Sequence, residues 1–553
     1  MNTLYRKACL CLSLMFFPYL AISASDTLVS SDMKHAAKQI TSDGIAAHMR
    51  FLSSDALEGR GPATRADKLT QEYLQSELAG LGIKPGAAGG RWIQPVPLVG
   101  ITSYAPETLT LTHGTQRITL KYKDDFIASS GVQKTSTKIN DAEIVFVGYG
   151  VVAPEFKWND FKDVDVKGKV LLVMNHNPSA FAGNTRLYYG RWTYKYEEAA
   201  RHGAAGVIVI HTTPSAAYPW QVVQSSWTGK LFELKDEGEP HVQVKGWATE
   251  DASRKIVSLS GNDLDKLRAA AESRDFRPVP LGVKMSITLK NTIKKVQSAN
   301  VVGMIPGSDP KLAHQAIVYS SHHDHLGMKE DKSGEQHIFN GAIDNASGVA
   351  ALLAIAKAYK ELHQPVKRTV YFVLTAAEEQ GLLGSQYFVA HPPVPVNHIA
   401  ANLNIDGIGF YGKTSDLTLT GMGKSNIDNV LIALAATQGR IVRPDPKPEH
   451  GSFYRADQFN FAKAGVPVAY FYSGVDAVGK PDGWGLQQIE NYVKHDYHQT
   501  SDKFKQSYDF SGAVEDAQLN FYLGVKLANA ANMPVWNKGD EFEAVRHKSL
   551  NAS

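Results

Sequence analysis

Five residues of types that bind metal ions recur through the second half of the chain at positions that suggest one site. They are His322, Asp344, Glu379, Asp406 and His498. Three of them, His322, Glu379 and Asp406, follow short apolar runs rich in β-branched residues, which predict buried strands. Because ligands of open α/β sheets gather at the carboxyl ends of the strands, we expect these side chains to meet at one sheet edge. The pattern predicts a two-metal centre that activates water for hydrolysis.

Two pairs of nearby residues indicate which side chains bind metal and which assist the ligands or act as the base. Asp324 lies two residues after His322, and a ligating histidine usually donates its other ring N–H to a carboxylate. We therefore expect Asp324 to orient His322, although a lone histidine is more often an ordinary surface or core residue. Glu378 and Glu379 are adjacent, so their side chains project in different directions. The pair predicts one ligand and one general base, against the alternative of two solvated acids at a helix start.

The remaining candidates each have an ordinary alternative role. Asp344 precedes a helical sequence and could be its N-cap, but its two oxygens could also bridge two metals about 3.5–4 Å apart. Asp406 could be a turn residue and His498 a surface imidazole. Tyr497 could donate a hydrogen bond to a developing oxyanion or simply pack. Individually these alternatives are favoured, whereas the combination in this order favours a site.

The charges and the cysteine positions agree with two zinc ions. Three carboxylates, Asp344, Asp406 and Glu379, offset most of the four positive charges, and a hydroxide would balance the rest. The two cysteines are Cys9 and Cys11, both inside an N-terminal apolar segment. A mature chain without thiols must bind zinc through nitrogen and oxygen, which favours an open catalytic site over a closed structural one.

The N-terminus has the composition of a secretory signal peptide. Arg6 and Lys7 precede an apolar run from Ala8 to Ile22, and small residues follow. A membrane anchor is the alternative, but the run is shorter than the about 20 residues that a spanning helix needs, and Pro18 interrupts it. We expect an exported protein, periplasmic or extracellular, with no stable membrane anchor after cleavage.

Composition limits the class of protein. The 553 residues are 43% hydrophobic and 20% charged, with a formal net charge of +3. This describes an ordinary globular chain of two or three domains, and the small charge indicates no nucleic-acid partner. The sequence leaves the oligomeric state open.

Alternating strand and helix patterns indicate an α/β fold with a mostly parallel central sheet and helices on both faces, because the strands are nearly continuous apolar runs. A second strand–helix–strand unit, with no acid/base cluster, precedes the catalytic part. The predicted divisions are a signal peptide at 1–24, an N-terminal part of the catalytic domain at 25–134, an inserted unit at 135–290, the catalytic part at 291–535 and a polar, poorly ordered tail at 536–553.

Several strings of the chain resemble the co-catalytic dizinc aminopeptidases, a family that includes secreted bacterial leucyl aminopeptidases and, more distantly, glutamate carboxypeptidase. The resemblance covers essentially residues 296–530. Residues 135–290 look like the protease-associated domain often inserted in this family, and Phe51–Gly61 resembles its N-terminal lead-in. The matching strings are Ser321-His-His-Asp-His-Leu-Gly, Asn340-Gly-Ala-Ile-Asp-Asn-Ala-Ser-Gly, Ala376-Ala-Glu-Glu-Gln-Gly-Leu-Leu-Gly-Ser, Asn404-Ile-Asp-Gly and Tyr497-His-Gln-Thr-Ser-Asp.

The resemblance implies a zinc-peptidase fold and a hydrolase that removes N-terminal residues from peptides with a free N-terminus. It also implies roles: His322 and Asp406 would hold one zinc, Glu379 and His498 the other, Asp344 would bridge them, Glu378 would be the base and Tyr497 would assist the oxyanion. Asp324 and Asp502 would support the ligands from behind.

The sequence departs from the family near the expected substrate side. Arg455-Ala-Asp-Gln458 stands where members often have Arg-Ser-Asp-His. Alternatives to the aminopeptidase are a carboxypeptidase-type or other dizinc hydrolase on the same scaffold, a glutaminyl cyclase with one zinc, and a receptor-like protein that binds without catalysis. Keeping all five ligand types disfavours the last two.

Overall fold

The computed structural model describes residues 28–183, 185–216, 218–330 and 333–551. The predicted signal peptide at 1–24 lies outside the described residues. Within the described part, no helix is both long enough and apolar enough to cross a membrane.

Strands and helices alternate along most of the described chain. The strands are β1 Lys84–Pro85, β2 Ile93–Tyr104, β3 Thr108–His113, β4 Gln116–Lys121, β5 Phe126–Ser130, β6 Ser136–Phe146, β7 Val152–Ala153, β8 Trp158–Asn159, β9 Val170–Met174, β10 Gly206–His211, β11 Lys230–Leu234, β12 Val244–Thr249, β13 Val279–Ile305, β14 Ala316–His322, β15 Gly327–Glu330, β16 Gln336–Phe339, β17 Thr369–Thr375, β18 Ile399–Asn404, β19 Asp416–Leu419, β20 Ile441–Pro444 and β21 Val468–Ser473. The α-helices are α1 Ser31–Ala37, α2 Ser42–Leu52, α3 Arg65–Gly80, α4 Ser179–Ala182, α5 Trp192–Arg201, α6 Thr213–Ala216, α7 Trp220–Ser226, α8 Glu250–Leu259, α9 Leu264–Ala271, α10 Gly348–Lys360, α11 Leu383–Ala390, α12 Ile427–Thr437, α13 Gln458–Lys463, α14 Trp484–His495, α15 Ser511–Asn529 and α16 Glu543–Asn551.

Four parallel strands form the centre of the catalytic sheet, in the order β17, β14, β18, β21. On one side, β13 continues the sheet antiparallel to β17, and β2 pairs antiparallel with β13. On the other side, β19 pairs antiparallel with β21 and parallel with β20. The carboxyl ends of the four central strands therefore open at one edge.

Helices cover both faces of this sheet. Alternate side chains of β14 pack against different helices. Ile317 and Tyr319 lie in one hydrophobic core with α10 and α15, whereas Ala316 and Val318 lie in another core with α13. The first four residues of β14 meet apolar partners on both faces of the sheet and are themselves apolar or aromatic, as expected for a strand buried on both faces. The predicted fold class, with a mostly parallel central sheet between helical layers, is confirmed.

A second unit has its own hydrophobic cores, built around the parallel strands β6, β9, β10 and β12. Its packing differs from the predicted start at 135, because Leu109 and Leu111 of β3 pack in its core with Met285. The alternating pattern of β3 predicts a half-buried strand, but it does not indicate the hydrophobic core against which the strand packs. We therefore propose that this unit begins near residue 105.

Two further predictions about chain organisation differ from the structure. The predicted boundary at 290 falls inside β13, a continuous strand of 27 residues that pairs with both units. The predicted poorly ordered tail instead packs on the catalytic part. Trp536 is 4% exposed and its indole N–H donates to the Gly465 carbonyl at 2.8 Å, and α16 follows. The buried residues Trp536 and Phe542 are widely spaced in an otherwise polar segment, so composition alone predicted a poorly ordered tail.

Candidate metal centre

The candidate residues occupy loops at the carboxyl edge of the parallel strands. His322 is the last residue of β14, Asp406 lies two residues after β18, and Glu378 and Glu379 lie in the loop between β17 and α11. Asp344 arrives from the loop before α10. His498 follows α14 and completes the group.

The first cluster surrounds the ring of His322. Its Nε2 lies 3.2 Å from Asp344 Oδ1 and 3.2 Å from Asp406 Oδ1. These three groups offer one ligand atom each, and all lie within 4.8 Å of one another. One imidazole and two carboxylates in this spacing can hold one divalent metal ion and leave a coordination position open.

The second cluster uses the other oxygen of Asp344. His498 Nε2 lies 3.1 Å from Asp344 Oδ2 and 3.1 Å from Glu379 Oε2. Asp344 thus faces both clusters, as a bridging carboxylate would. The structure brings together all five residues that the sequence nominated as ligands.

His325 is a participant that the sequence analysis did not assign. Its side chain is 0% exposed, and its Nδ1 lies 2.6 Å from Glu379 Oε1. His325, Asp344 and Glu379 also form a group of possible ligands within 4.8 Å. Because His498 Nε2 meets the opposite oxygen of Glu379, we assign His325 to the support of that carboxylate. A third histidine in the string after β14 was the available signal.

Glu378 turns toward the first cluster, whereas Glu379 turns toward the second. Glu378 Oε2 lies 4.0 Å from His322 Nε2. Burial, together with the charges of Asp406 and Glu379, raises the pKa of Glu378 well above its usual value. A carboxyl group that readily holds a proton beside the metal positions suits a general acid/base.

The two predicted supporting carboxylates hold the loops by main-chain contacts. Asp502 accepts hydrogen bonds from the N–H groups of Ile343 at 3.0 Å and Asp344 at 3.2 Å. Asp324 accepts from the Glu378 N–H at 3.0 Å. The His322 Nδ1 lies 3.2 Å from the backbone oxygen of Asp324 and 3.8 Å from its carboxylate, so Asp324 faces that ring mainly through its carbonyl.

Arg60 fastens the N-terminal part of the chain to the site loops, a role that the sequence analysis missed. Its side chain is 1% exposed and donates to the carbonyls of His323 at 2.9 Å, Asn340 at 2.7 Å and Gly341 at 2.9 Å, and of Leu52 at 2.6 Å. The guanidinium also carries charge close to Asp324, Asp502 and Asp344. The only signal was its place in the Phe51–Gly61 string.

Tyr497 lies beside the second cluster. Its ring stacks on that of His498, with centroids 3.9 Å apart. The Asp344, Glu379 and Glu378 carboxylates are among its electrostatic neighbours, and burial with these charges raises the pKa of its hydroxyl well above the usual value. The phenol therefore stays protonated and can donate a hydrogen bond at the site.

The donor set fits divalent cations. Carboxylates crowd together in a site where Asp324 is 0% exposed and the Asp406 side chain 18%, and such charges need nearby positive charge. Among the described residues, Asp324 Oδ2 and His325 Nε2 are buried without a hydrogen-bond partner. Nitrogen and carboxylate donors of this kind suit zinc.

Comparison with known proteins agrees with this chemistry. Residues 300–522 match the model of Peptidase family M28. Aminopeptidase YwaD of Bacillus subtilis (strain 168) is 28% identical over 174 residues, 31% of this chain and 35% of that protein. A vacuolar membrane protease of Clavispora lusitaniae is 34% identical over 123 residues, 22% of this chain and 11% of that protein. The matched segment thus spans only a minor part of these relatives.

One solved structure supports the fold. The aminopeptidase from Aneurinibacillus sp. strain AM-1 superposes with a TM-score of 0.50 and 19% identity, covering 89% of this chain and 95% of that chain. At this identity the likeness concerns the fold alone.

Proposed function

We propose that the protein is a zinc-dependent aminopeptidase, on the premise that residues 300–522 match the model of Peptidase family M28. It would remove N-terminal residues from peptides, with Glu378 as the general base. The observation that carries the proposal is the sharing of Asp344 between two ligand clusters with Glu378 alongside. A carboxyl group placed in this way has a proton-transfer role that a purely structural metal site does not need.

Two zinc ions, when bound, would supply Lewis acidity that activates water and polarises the scissile carbonyl. We propose that His322 and Asp406 hold one ion, Glu379 and His498 hold the other, and Asp344 bridges them. Two of these side chains have a partner outside the ligand set, since the His322 ring meets the Asp324 carbonyl and Glu379 meets His325, and such contacts limit rotation and favour a preformed site.

The chain's own residues would manage the protons and the developing charge. Glu378 would take a proton from the attacking water and pass it to the departing amine, which its raised pKa favours. The protonated Tyr497 hydroxyl would donate to the carbonyl oxygen as negative charge develops there. Tyr497 and Glu378 are electrostatic neighbours, and Tyr497 stacks on His498 of the second cluster.

The free N-terminus of the substrate would be held by carboxylate oxygens. An ammonium group pairs strongly with carboxylates in a partly desolvated site, and Glu378 and Asp406 are placed to accept from it. We also propose export to the periplasm or beyond, on the strength of the basic residues and apolar run within residues 1–24.

The proposal is tested with a panel of aminoacyl-p-nitroanilides assayed before and after treatment with a chelator. We expect release of p-nitroaniline, its loss on chelation and its recovery when two equivalents of zinc are returned. Activity that survives complete removal of metal would contradict the proposal.

A further inference from the structure

Three buried polar side chains are joined by hydrogen bonds where α13 packs on the catalytic sheet. They are Ser320 of β14, Asn404 of β18 and Gln458 of α13, and each is at most 2% exposed. Burying amide and hydroxyl groups costs free energy unless each group is hydrogen-bonded. We call these three residues the relay, because each one contacts the next in a fixed order.

The hydrogen bonds of the relay run in one direction. A backbone carbonyl can only accept, so Gln458 Nε2 must donate to the Phe453 carbonyl, at 2.7 Å. Gln458 Oε1 then accepts from Asn404 Nδ2 at 2.8 Å, and Asn404 Oδ1 accepts from the Ser320 hydroxyl at 2.6 Å. Ser320 in turn accepts from Asn402 Nδ2 at 2.9 Å. The carbonyl at one end therefore fixes the orientation of both amides of the relay.

One end of the relay lies directly before two ligands of the first cluster. Ser320 precedes His322 by two residues in β14, and Asn404 is the last residue of β18, two residues before Asp406. Ser320 and Asn404 are also opposite each other in the parallel pairing of these strands. Their side-chain hydrogen bond therefore adds a cross-link between the two strands just before each one delivers its ligand.

The other end of the relay holds the segment that precedes α13. Phe453, whose carbonyl binds Gln458, lies two residues before Arg455. The charge of Arg455 interacts with Tyr497 and Glu378 at the candidate metal centre. Gln458 thus connects a segment that borders the site with the two strands that carry His322 and Asp406.

Gln458 is also the residue at which Arg455-Ala-Asp-Gln458 departs from the family string. The departure was expected near the substrate side, but the buried Gln458 side chain contacts Asn404 and the Phe453 carbonyl. An amide donates and accepts at the same time and does not titrate. The departure therefore concerns the support of the ligands, not a surface that the substrate touches.

We propose that Gln458 is a positioning residue for the first zinc position, acting through Asn404 and Ser320. This role depends on the proposed metal centre and adds a residue that neither touches the substrate nor binds the ion. Strands that are cross-linked before their ligands hold those ligands at a fixed separation. Partners behind a metal ligand typically change metal affinity about 10- to 100-fold.

Zinc affinity, measured by competition with a chelator, tests this role without turnover. Gln458→Met keeps a similar volume but removes the donor and the acceptor. We expect it to weaken the binding of at least one of the two zinc ions about 10- to 100-fold. The matched control is Gln438→Met, which removes a hydrogen bond to the Glu515 carbonyl outside the site and should bind zinc as the wild type does. Equal zinc affinities in the two variants would overturn the proposal.

A conservative variant separates positioning from the filling of space. At pH 8 the imidazole of Gln458→His is neutral and offers one donor and one acceptor, as the amide does. This variant should therefore recover most of the zinc affinity that Gln458→Met loses. A Gln458→His protein that binds zinc as weakly as Gln458→Met would contradict the relay.

The far end of the relay supplies a second variant, which removes a single hydroxyl group and perturbs folding least. Ser320→Ala should also weaken zinc binding. Once it is present, Gln458→Met or Gln458→Leu should lower the zinc affinity by less than in the wild type, because the relay is already broken. Fully additive losses would show that Gln458 does not act through Asn404 and Ser320.

The outcomes for this role and for the proposed peptidase are distinguishable. A wild-type protein that binds two zinc ions and cleaves no aminoacyl-p-nitroanilide would contradict the peptidase, while the zinc affinities of the variants would still decide the role of Gln458. A wild-type protein that binds no zinc would overturn both.

Discussion

At the scale of single residues, Glu378 and Glu379 illustrate how neighbours acquire different tasks. One side chain faces His322 and the other faces His498, because consecutive residues of a loop project in different directions. Their separation is the structural basis for assigning one to proton transfer and the other to metal binding.

The first residue-scale prediction concerns this division. Glu378→Gln should keep both zinc ions and lower kcat about 10²- to 10⁴-fold, the usual contribution of a general base. Glu379→Gln, the matched neighbour, should instead lose zinc. Metal analysis and steady-state kinetics of both variants check it, and a Glu378→Gln enzyme with near-normal kcat would place the base elsewhere.

The second residue-scale prediction concerns His325. Its contact with Glu379 Oε1 at 2.6 Å orients a proposed ligand, and loss of such support typically weakens metal binding about 10- to 100-fold. His325→Gln should show this loss in a chelator competition assay. The exposed His314→Gln variant is the control, and equal zinc affinity in both would remove His325 from the site.

Sequence reasoning reached the five ligand types because acids and imidazoles after apolar strands are visible as a pattern. The structure gathers all of them, including Asp344, whose alternative as a helix cap was plausible. His325 and Arg60 were harder to assign, because their roles depend on which loop lies against which, and no local spacing records that.

At the scale of elements, the site depends on how three loops are held at the strand ends. Arg60 reaches four carbonyls on different segments, so the short 3-10 helix Asp55–Arg60 acts as a clasp for the loops after β14 and before α10. The order of the strands brings the ligands near one another, and the clasp fixes the position of the loops that carry them.

An element-scale prediction follows for Arg60. Arg60→Met would remove all four hydrogen bonds, although the Gly341 carbonyl keeps the Ala346 N–H as a donor, and each buried carbonyl left unsatisfied costs about 1–3 kcal/mol. We expect a clear fall in the midpoint of urea denaturation, whereas the exposed Arg65→Met should change the free energy of unfolding by about 0.5 kcal/mol or less. An unchanged midpoint in Arg60→Met would show that the clasp contributes little to stability.

The central strands were predictable because each is a short, continuous apolar run. The 27-residue strand β13 was not predicted as one element, because polar residues in its middle interrupt the apolar signal while the backbone pairing continues. Strand pairing is a long-range property, and that explains why the boundary at 290 fell inside it.

At the scale of the whole molecule, the second unit is joined to the catalytic part by a shared strand and by hydrogen bonds. It shares β13 with the catalytic sheet, and its Arg186 donates hydrogen bonds to the Pro448 and Glu449 carbonyls of the catalytic part. The sequence analysis expected no acid/base cluster in this segment, and it did not foresee the hydrogen bonds that join it to the catalytic part. Such contacts between distant segments leave no motif in either one.

We propose above all that the enzyme recognises the free N-terminal ammonium group of its substrate. The most direct measurement compares kcat/KM for one C-terminally amidated pentapeptide, such as one beginning with leucine, with a free and with an acetylated N-terminus. A site built to bind the ammonium group should discriminate against the acetylated peptide about 10⁴-fold or more, because its carboxylate acceptors would lose their partner. Products shortened by one N-terminal residue would accompany this preference, and equal cleavage of the two peptides would contradict the account.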